Sequence, residues 1–152
     1  YLSPQHCGIE AFELGEGGKV GEAVYIGSAP ESLDGKPDNS YDVCSHNHIH
    51  HNTFNTYGNE CVEVKEASTL NLIEHNICTK QMDEQSGGFS SRGSENTFRY
   101  NDISDCVGTG VRVGGEDGYG ELNNIYGNDI KDCGYGAFAV NSENQGVVCE
   151  NT

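Results

Sequence analysis

ENTFRYNDISDCVGTGVRVGG (95–115) and ELNNIYGNDIKDCGYGAFAVN (121–141) state one pattern twice. Asn101/Asn128, Ile103/Ile130, Cys106/Cys133, Val111/Phe138 and Val113/Val140 each stand 27 residues apart. Self-similarity at a fixed period is the signature of a repeat architecture. Upstream, Asn47 and Ile49 open the same pattern, and His75 and Ile77 continue it with His in the Asn place, in steps of 28, 26 and 27 residues.

Within each unit the apolar residues come in pairs two apart, as in Val62/Val64, Val111/Val113 and Phe138/Val140. That is the period of a strand, not of a helix. Gly, Asn and Asp separate the pairs and suit turn backbones. One such unit cannot bury its inner face alone, so the units must stack on one another. The pattern predicts an all-β fold, a right-handed parallel β-helix of about five coils with uncapped ends. The columns Cys44, Leu72, Phe98, Ile125, Val148 and Ile49, Ile77, Ile103, Ile130 are expected to point inward. Asn47, Asn101, Asn128 and Asn151 fall at a turn, where stacked amides can bond coil to coil. Turn formation alone explains the same residues.

A length of 152 residues fits one domain spanning 1–152, and 21 glycines suit narrow coils despite an apolar fraction of only 34%. Eight basic residues against 24 acidic ones give a net charge of −16. Nucleic acid and anionic membrane surfaces are therefore poor partners. No apolar run is long enough to span a membrane. Ca²⁺ suits such a surface, although a solvated acidic face explains the same count. The chain begins with Tyr1 and carries seven cysteines without a CxxC pair. This fits a processed product in an oxidising, extracellular location rather than a zinc site of the usual spacing.

In chain order, CGIEAFEL (7–14) echoes CGYGAFAV (133–140), and EAVYIGSA (22–29) resembles ECVEVKEA (60–67). Two such segments so close together predict that one of them is an insert. Residues 30–41, with Pro30, Asp34, Gly35 and Pro37, read as a polar surface loop. The tail 146–152 opens a coil that residues 1–14 continue. A second copy's N-terminus would then complete the last coil of the first, giving a head-to-tail homopolymer. A piece of a longer β-helix is the other reading of the same feature. In the stack, Cys106 and Cys133 share a column that Cys7 of the next copy extends, and Cys149 lies near Cys44 of the next copy. Disulfides and buried thiols both suit these positions.

The segments GEAVYIGSA, VEVKEAS and N-x-I-x-x-C resemble secreted proteins of the pectin lyase-like β-helix superfamily. In that superfamily, lyases similar to chondroitinase B and the alginate lyases use a Lys and an Arg on adjacent coils near a Ca²⁺ held by carboxylates. The Lys takes the proton beside a uronate carboxylate, and Arg and metal stabilise the charge. The resemblance implies such roles for Lys65 and Arg92, with Glu60, Glu63 and Glu66 nearby. Ser91, Gly93 and Ser94 depart from the family's setting of its Arg, and the Glu spacing departs from its metal ligands; read without the resemblance, Lys65 is an exposed, solvated strand residue.

SHNHIHH (45–51) places alternate histidines on one face, and His46, His48, His50 and His51 with His75 form a metal-ligating candidate, His48, His50 and His75 foremost. Alternating polar residues on a solvent face explain the same run. No Asn-x-Ser/Thr occurs; Asn59-Glu60-Cys61 and Asn76-Ile77-Cys78 are the cysteine variant of the glycosylation signal. The reading as a whole is an extracellular structural subunit assembling into a filament, with attached or bound glycans as further partners and no catalytic residue favoured. A polysaccharide lyase-like enzyme and a carbohydrate-binding module of a longer chain are the alternatives.

Overall fold

The structure, a computed structural model, describes residues 8–10, 21–35, 38–115 and 118–152. The described residues form fifteen short strands: β1 Gly8–Glu10, β2 Val24–Ile26, β3 His48–His50, β4 Thr53–Asn55, β5 Val62–Val64, β6 Leu72–Glu74, β7 Ile77–Thr79, β8 Gly87–Ser91, β9 Thr97–Arg99, β10 Asp102–Cys106, β11 Thr109–Val113, β12 Asn124–Tyr126, β13 Asp129–Cys133, β14 Phe138–Val140 and β15 Val148–Cys149. They form three five-stranded parallel sheets: sheet A in the order β15-β12-β9-β6-β3, sheet B β1-β4-β7-β10-β13 and sheet C β14-β11-β8-β5-β2. The chain visits A, B and C in turn, so the fold is an all-β solenoid. Complete turns number four (β3–β5, β6–β8, β9–β11, β12–β14), flanked by β1–β2 at one end and β15 at the other. The expected five coils are therefore about four, because the fifth is divided between the two ends.

That division also corrects the reading of residues 1–41. β1 pairs with β4 in sheet B and β2 with β5 in sheet C, so the two segments lie on different faces of one coil. Neither strand is an insert. Gly8–Glu10 is the edge strand of sheet B, paired with Thr53–Asn55 and in the column that starts at Asp129 rather than at Cys133. Cys7 lies outside the described residues. The segment expected as a polar loop contains a short 3₁₀ helix, Pro30–Gly35.

The core runs down the inside as columns. One is Ile49, Ile73, Phe98, Ile125, Val148 in sheet A; another is Phe54, Cys78, Ile103, Ile130 in sheet B; a third is Val24, Val62, Phe89, Val111, Phe138 in sheet C. Phe54, Phe89, Phe98, Ile73, Ile103 and Ile125 are fully buried, each contributing on the order of 2 kcal/mol of transfer free energy. Small residues line the B-to-C corner, where Gly88 and Gly110 leave room that a Cβ would take from Ile103 and Ile130. Cys61 stands in that same corner and forms a disulfide with Cys78 on the next coil. No expectation from sequence had paired these two.

Several inward assignments change. Leu72 and Ile77 point outward, Ile77 being 43% exposed, and Ile73 and Cys78 take their places inside. Ile49 belongs with Phe98 and Ile125 rather than with Ile103, and Cys44 precedes that column instead of joining it. Ile130 is only partly buried, and Val148, in the expected column, is 46% exposed because nothing described covers its coil. The reason is that the coil length varies. Successive Asn partners lie 24, 25, 27 and 23 residues apart, so one constant period slips by a residue in the early coils, and a slip of one reverses every side chain.

The asparagines make two ladders, not one. Asn47, Asn71, Asn96 and Asn123 form the first, ending on Gln145. Asn52, Asn76, Asn101, Asn128 and Asn151 form the second. Asn47 is thus not in line with Asn101, and Asn76, not His75, holds the Asn place. In the second ladder each backbone N–H and each Nδ2 donates to the amide oxygen of the next coil at 2.9–3.2 Å. The residue before each ladder Asn lies in the left-handed region: His46, Leu70, Glu95 and Leu122 before the first, His51, His75, Tyr100, Gly127 and Glu150 before the second. Such a backbone costs about 1–2 kcal/mol for a non-glycine residue, which the amide bonds of the following Asn offset.

Candidate functional site

Beyond the core, chemistry gathers in a charged cleft on sheet C, in a histidine patch on sheet A and at the two end faces. On the outer side of sheet C, Tyr25, Glu63, Ser90 and Arg112 stand in one column across successive coils. The next column starts where these strands end, with Lys65 bonded through its N–H to Ile26 and Arg92 through its N–H to Val64. Lys65 and Arg92 are therefore neighbours on adjacent coils, as the lyase resemblance requires. Lys65 is not a solvated strand residue. It is 5% exposed, its Nζ lies 2.6 Å from Glu63 Oε1, and it rests 4.9 Å from the Tyr25 ring centre.

Arg112 Nη2 approaches Glu60 Oε1 at 3.6 Å and Glu63 Oε1 at 3.9 Å, while Arg92 reaches Glu63 at 3.8 Å and Glu66 at 3.7 Å. Ser86 Oγ donates to Glu60, and Asn59 Nδ2 donates to Glu22 at 3.1 Å. Glu60 is 1% exposed and its Oε2 accepts no hydrogen bond. Burial, with the Glu63 charge beside it, pushes the Glu60 carboxyl up to about 7; burial and the neighbouring carboxylates also push the Tyr25 phenol up. The cleft, of about 340 Å³, is lined on its floor by these groups and at its rim by Glu31, Asp83 and Gln85.

Carboxylate oxygens of Glu22, Glu60 and Glu63 lie within 4.8 Å of one another, close enough for a shared cation. These residues nevertheless do not fit a resident Ca²⁺. Lys65 and Arg112 already sit on the same oxygens, a carboxyl titrating near 7 is a poor hard-cation ligand at neutral pH, and Ca²⁺ takes six to eight oxygens. What the arrangement supplies is a proton-exchanging carboxyl beside three fixed cations.

The histidines gather at the other side of the solenoid, on sheet A and its corner. His48 and His50 stack at 4.1 Å, His50 Nδ1 meets His51 Nδ1 at 2.9 Å, and His51 stacks on His75 at 5.2 Å. His48 Nε2 bonds Glu74 at 2.7 Å, and Arg99 holds the same carboxylate at 2.6 Å. Burial alone would raise the Glu74 carboxyl, yet the hydrogen bonds from Arg99 and His48 bring it below its usual range. Burial and the neighbouring imidazoles lower His50. Of the sequence candidates, His48, His50, His51 and His75 come together, His51 making the contact with His75 from a left-handed turn.

Among the cysteines, Cys106 and Cys133 are strand partners in neighbouring coils, both free, their thiols donating to the Ser104 and Lys131 carbonyls. The Cys133 thiol beside it, and burial, push Cys106 up. Cys149 pairs in register with Tyr126 and faces outward, so continuing its column leads to His50 and not to Cys44. Asn76 of the second glycosylation signal is buried in its ladder, with Cys78 in the disulfide.

At one end, Val24–Gly27, Cys44 and Ile49 border an open cleft of about 480 Å³. At the other, Val140 is 50% exposed and Val147 and Val148 are exposed beside it. Among the described residues no element covers either face. No family model, curated protein or solved structure matches this chain.

Proposed function

We propose that this chain is an extracellular structural subunit whose copies stack end to end into a filament. The observation that carries this reading is the step between the two faces. β15 stands one strand beyond β13 and β14 at one end, and β1 and β2 stand one strand beyond β3 at the other. Set face to face, β15 pairs with β3 of the next copy, β13 with β1 and β14 with β2, and all three sheets run on without a gap. The columns continue in kind, Val148 above Ile49 and Phe138 above Val24, and the inward Val140 and Val148 enter the 480 Å³ cleft. The ladders have a polarity that suits the same joint, since each amide donates toward the later coil. Stacking removes unpaired strand edges, and a head-to-tail contact of this kind stays open-ended. The net charge of −16 keeps neighbouring filaments apart and leaves bound or attached glycans and cations as the partners of the outer wall.

Electron microscopy of the purified chain tests this. Filaments with an axial repeat of roughly 24 Å, five strand spacings, are expected, and Val148→Asp abolishes them while leaving a folded monomer. Discrete wild-type monomers at every concentration would sink the reading.

The Glu60 environment favours a second reading, a lyase-like enzyme acting on uronate polymers, with Lys65 and Arg92 at the reacting centre and Glu60 exchanging the proton. Its mark is new ultraviolet absorbance from unsaturated uronate ends, lost in Lys65→Ala. No such signal on any uronate polymer rules it out.

A further inference from the structure

We infer that the joint between stacked copies is a zinc site, formed by His50 and His51 of one copy with Cys149 and Glu150 of the adjoining copy. The inference rests on the end-to-end reading and adds to it a ligand and a means of control. Its ground is the register of two outward columns. In sheet A the column runs Cys149, Tyr126, Arg99, Glu74, His50. At the corner that follows, the left-handed positions run Glu150, Gly127, Tyr100, His75, His51. When β15 lies on β3 of the next copy, Cys149 stands above His50 and Glu150 above His51, one strand spacing of about 4.8 Å away.

At several steps of these columns side chains reach the neighbouring coil. Arg99 bonds Glu74 at 2.6 Å and Tyr126 at 3.0 Å, His51 stacks on His75 at 5.2 Å, and His75 on Tyr100 at 5.4 Å. A thiol and a carboxylate one step further along meet the imidazoles in the same way. The two imidazoles are already aimed together, Nδ1 to Nδ1 at 2.9 Å. Tetrahedral zinc, with Zn–N about 2.0–2.1 Å, sets its nitrogens about 3.3–3.4 Å apart, a separation that small ring rotations supply. Both rings are held from behind: His48 lies on His50 at 4.1 Å and is tied to Glu74 at 2.7 Å, and His75 backs His51. Such support keeps ligands in place before the metal arrives.

Two imidazole nitrogens, one thiolate and one carboxylate match the N/S donor set that zinc prefers. On binding, the Cys149 thiol proton goes to water. The proton shared between the two Nδ1 atoms moves to an Nε2, leaving both Nδ1 lone pairs for the metal. Neither copy holds more than half of the site, so zinc affinity and assembly are linked.

The test adds zinc chloride, or EDTA, to the purified chain, reading metal content after desalting and filament length by electron microscopy. Expected are one zinc per subunit in filaments and shortening in EDTA, with at least a tenfold loss of zinc affinity in His51→Ala and in Cys149→Ser. Cobalt substitution should give a thiolate-to-metal absorption band in wild type and none in Cys149→Ser. Filaments of the right axial repeat that take up no zinc overturn this inference while the assembly stands. Equal zinc binding by wild type and Cys149→Ser overturns it too, since the site then belongs to a single copy. An absence of filaments with and without zinc overturns the assembly reading, and the zinc joint with it.

Discussion

Glu60 shows how a single residue here is set by its surroundings. It lies just before β5, where Ser86, Arg112 and Glu63 reach it from other positions and other coils, and water does not. The folded carboxyl, raised to about 7, holds its proton where the unfolded chain has already lost it. Stability contributed in this way is complete below the unfolded value of 4.5 and is lost as pH rises through 7. A shift of that size corresponds to at most roughly 3 kcal/mol. Urea midpoints taken from pH 5 to pH 8 are expected to fall for wild type, and Glu60→Gln is expected to flatten the slope. An unchanged slope would mean that the carboxyl is ionised throughout. The Lys65–Glu63 pair beside it, both nearly sealed from water, is a pair whose separate halves are costly to strand.

At the scale of the element, the ladder rather than the strand is the cooperative unit. Strands of two to five residues are too short to persist alone, and they are held by what lies at their ends. In the second ladder, Asn101 accepts the backbone N–H and the Nδ2 of Asn76 and donates its own Nδ2 to Asn128 Oδ1 and to the Ile73 carbonyl. Asn101→Ala strips partners from buried donors and acceptors on both neighbouring coils. The expected loss is about 2–4 kcal/mol, read as a lower thermal midpoint. Tyr100→Gly serves as the comparison, because it relieves a left-handed residue and loses no amide bond. The Cys61–Cys78 bridge acts in the same direction as the ladders, tying β5's coil to β7's through the core.

The molecule as a whole is a stack with one polarity. Every sheet is parallel, every ladder donates in one direction, and the two faces differ by one strand per sheet. An object of this kind offers a second copy the same contacts that join its own coils, so the interface repeats the interior. The five-strand sheets fix the expected axial repeat, each copy adding four complete turns and one shared turn. A deviation from roughly 24 Å would mean a joint with a different register, and would move Cys149 away from His50. The charged cleft lies on the outer side of sheet C, reaching the edge strand β2, and the two readings of function are separable because one is read by filament formation and the other by turnover.

Much of this was legible in the residues. Apolar pairs two apart, recurring with Asn and Gly between them, require strands that stack, and the doubled stretch 95–141 is aligned as read, Ile103 on Ile130 and Cys106 on Cys133. The place of the tail could also be seen, Val148 standing on Ile125 as the repeat requires. The register of the early coils could not be. A turn shortened by two or three residues leaves composition and periodicity untouched while reversing which of Leu72 or Ile73, and which of Ile77 or Cys78, faces the core. The Cys61–Cys78 bridge and the Asn76 rung follow from that register and were hidden with it. The cleft was legible only as a list of charges. Lys65 buried on Glu63, and Glu60 holding its proton, depend on side chains from three coils meeting across 2.6–3.9 Å, and distances between coils are set by folding, not by neighbours in the chain.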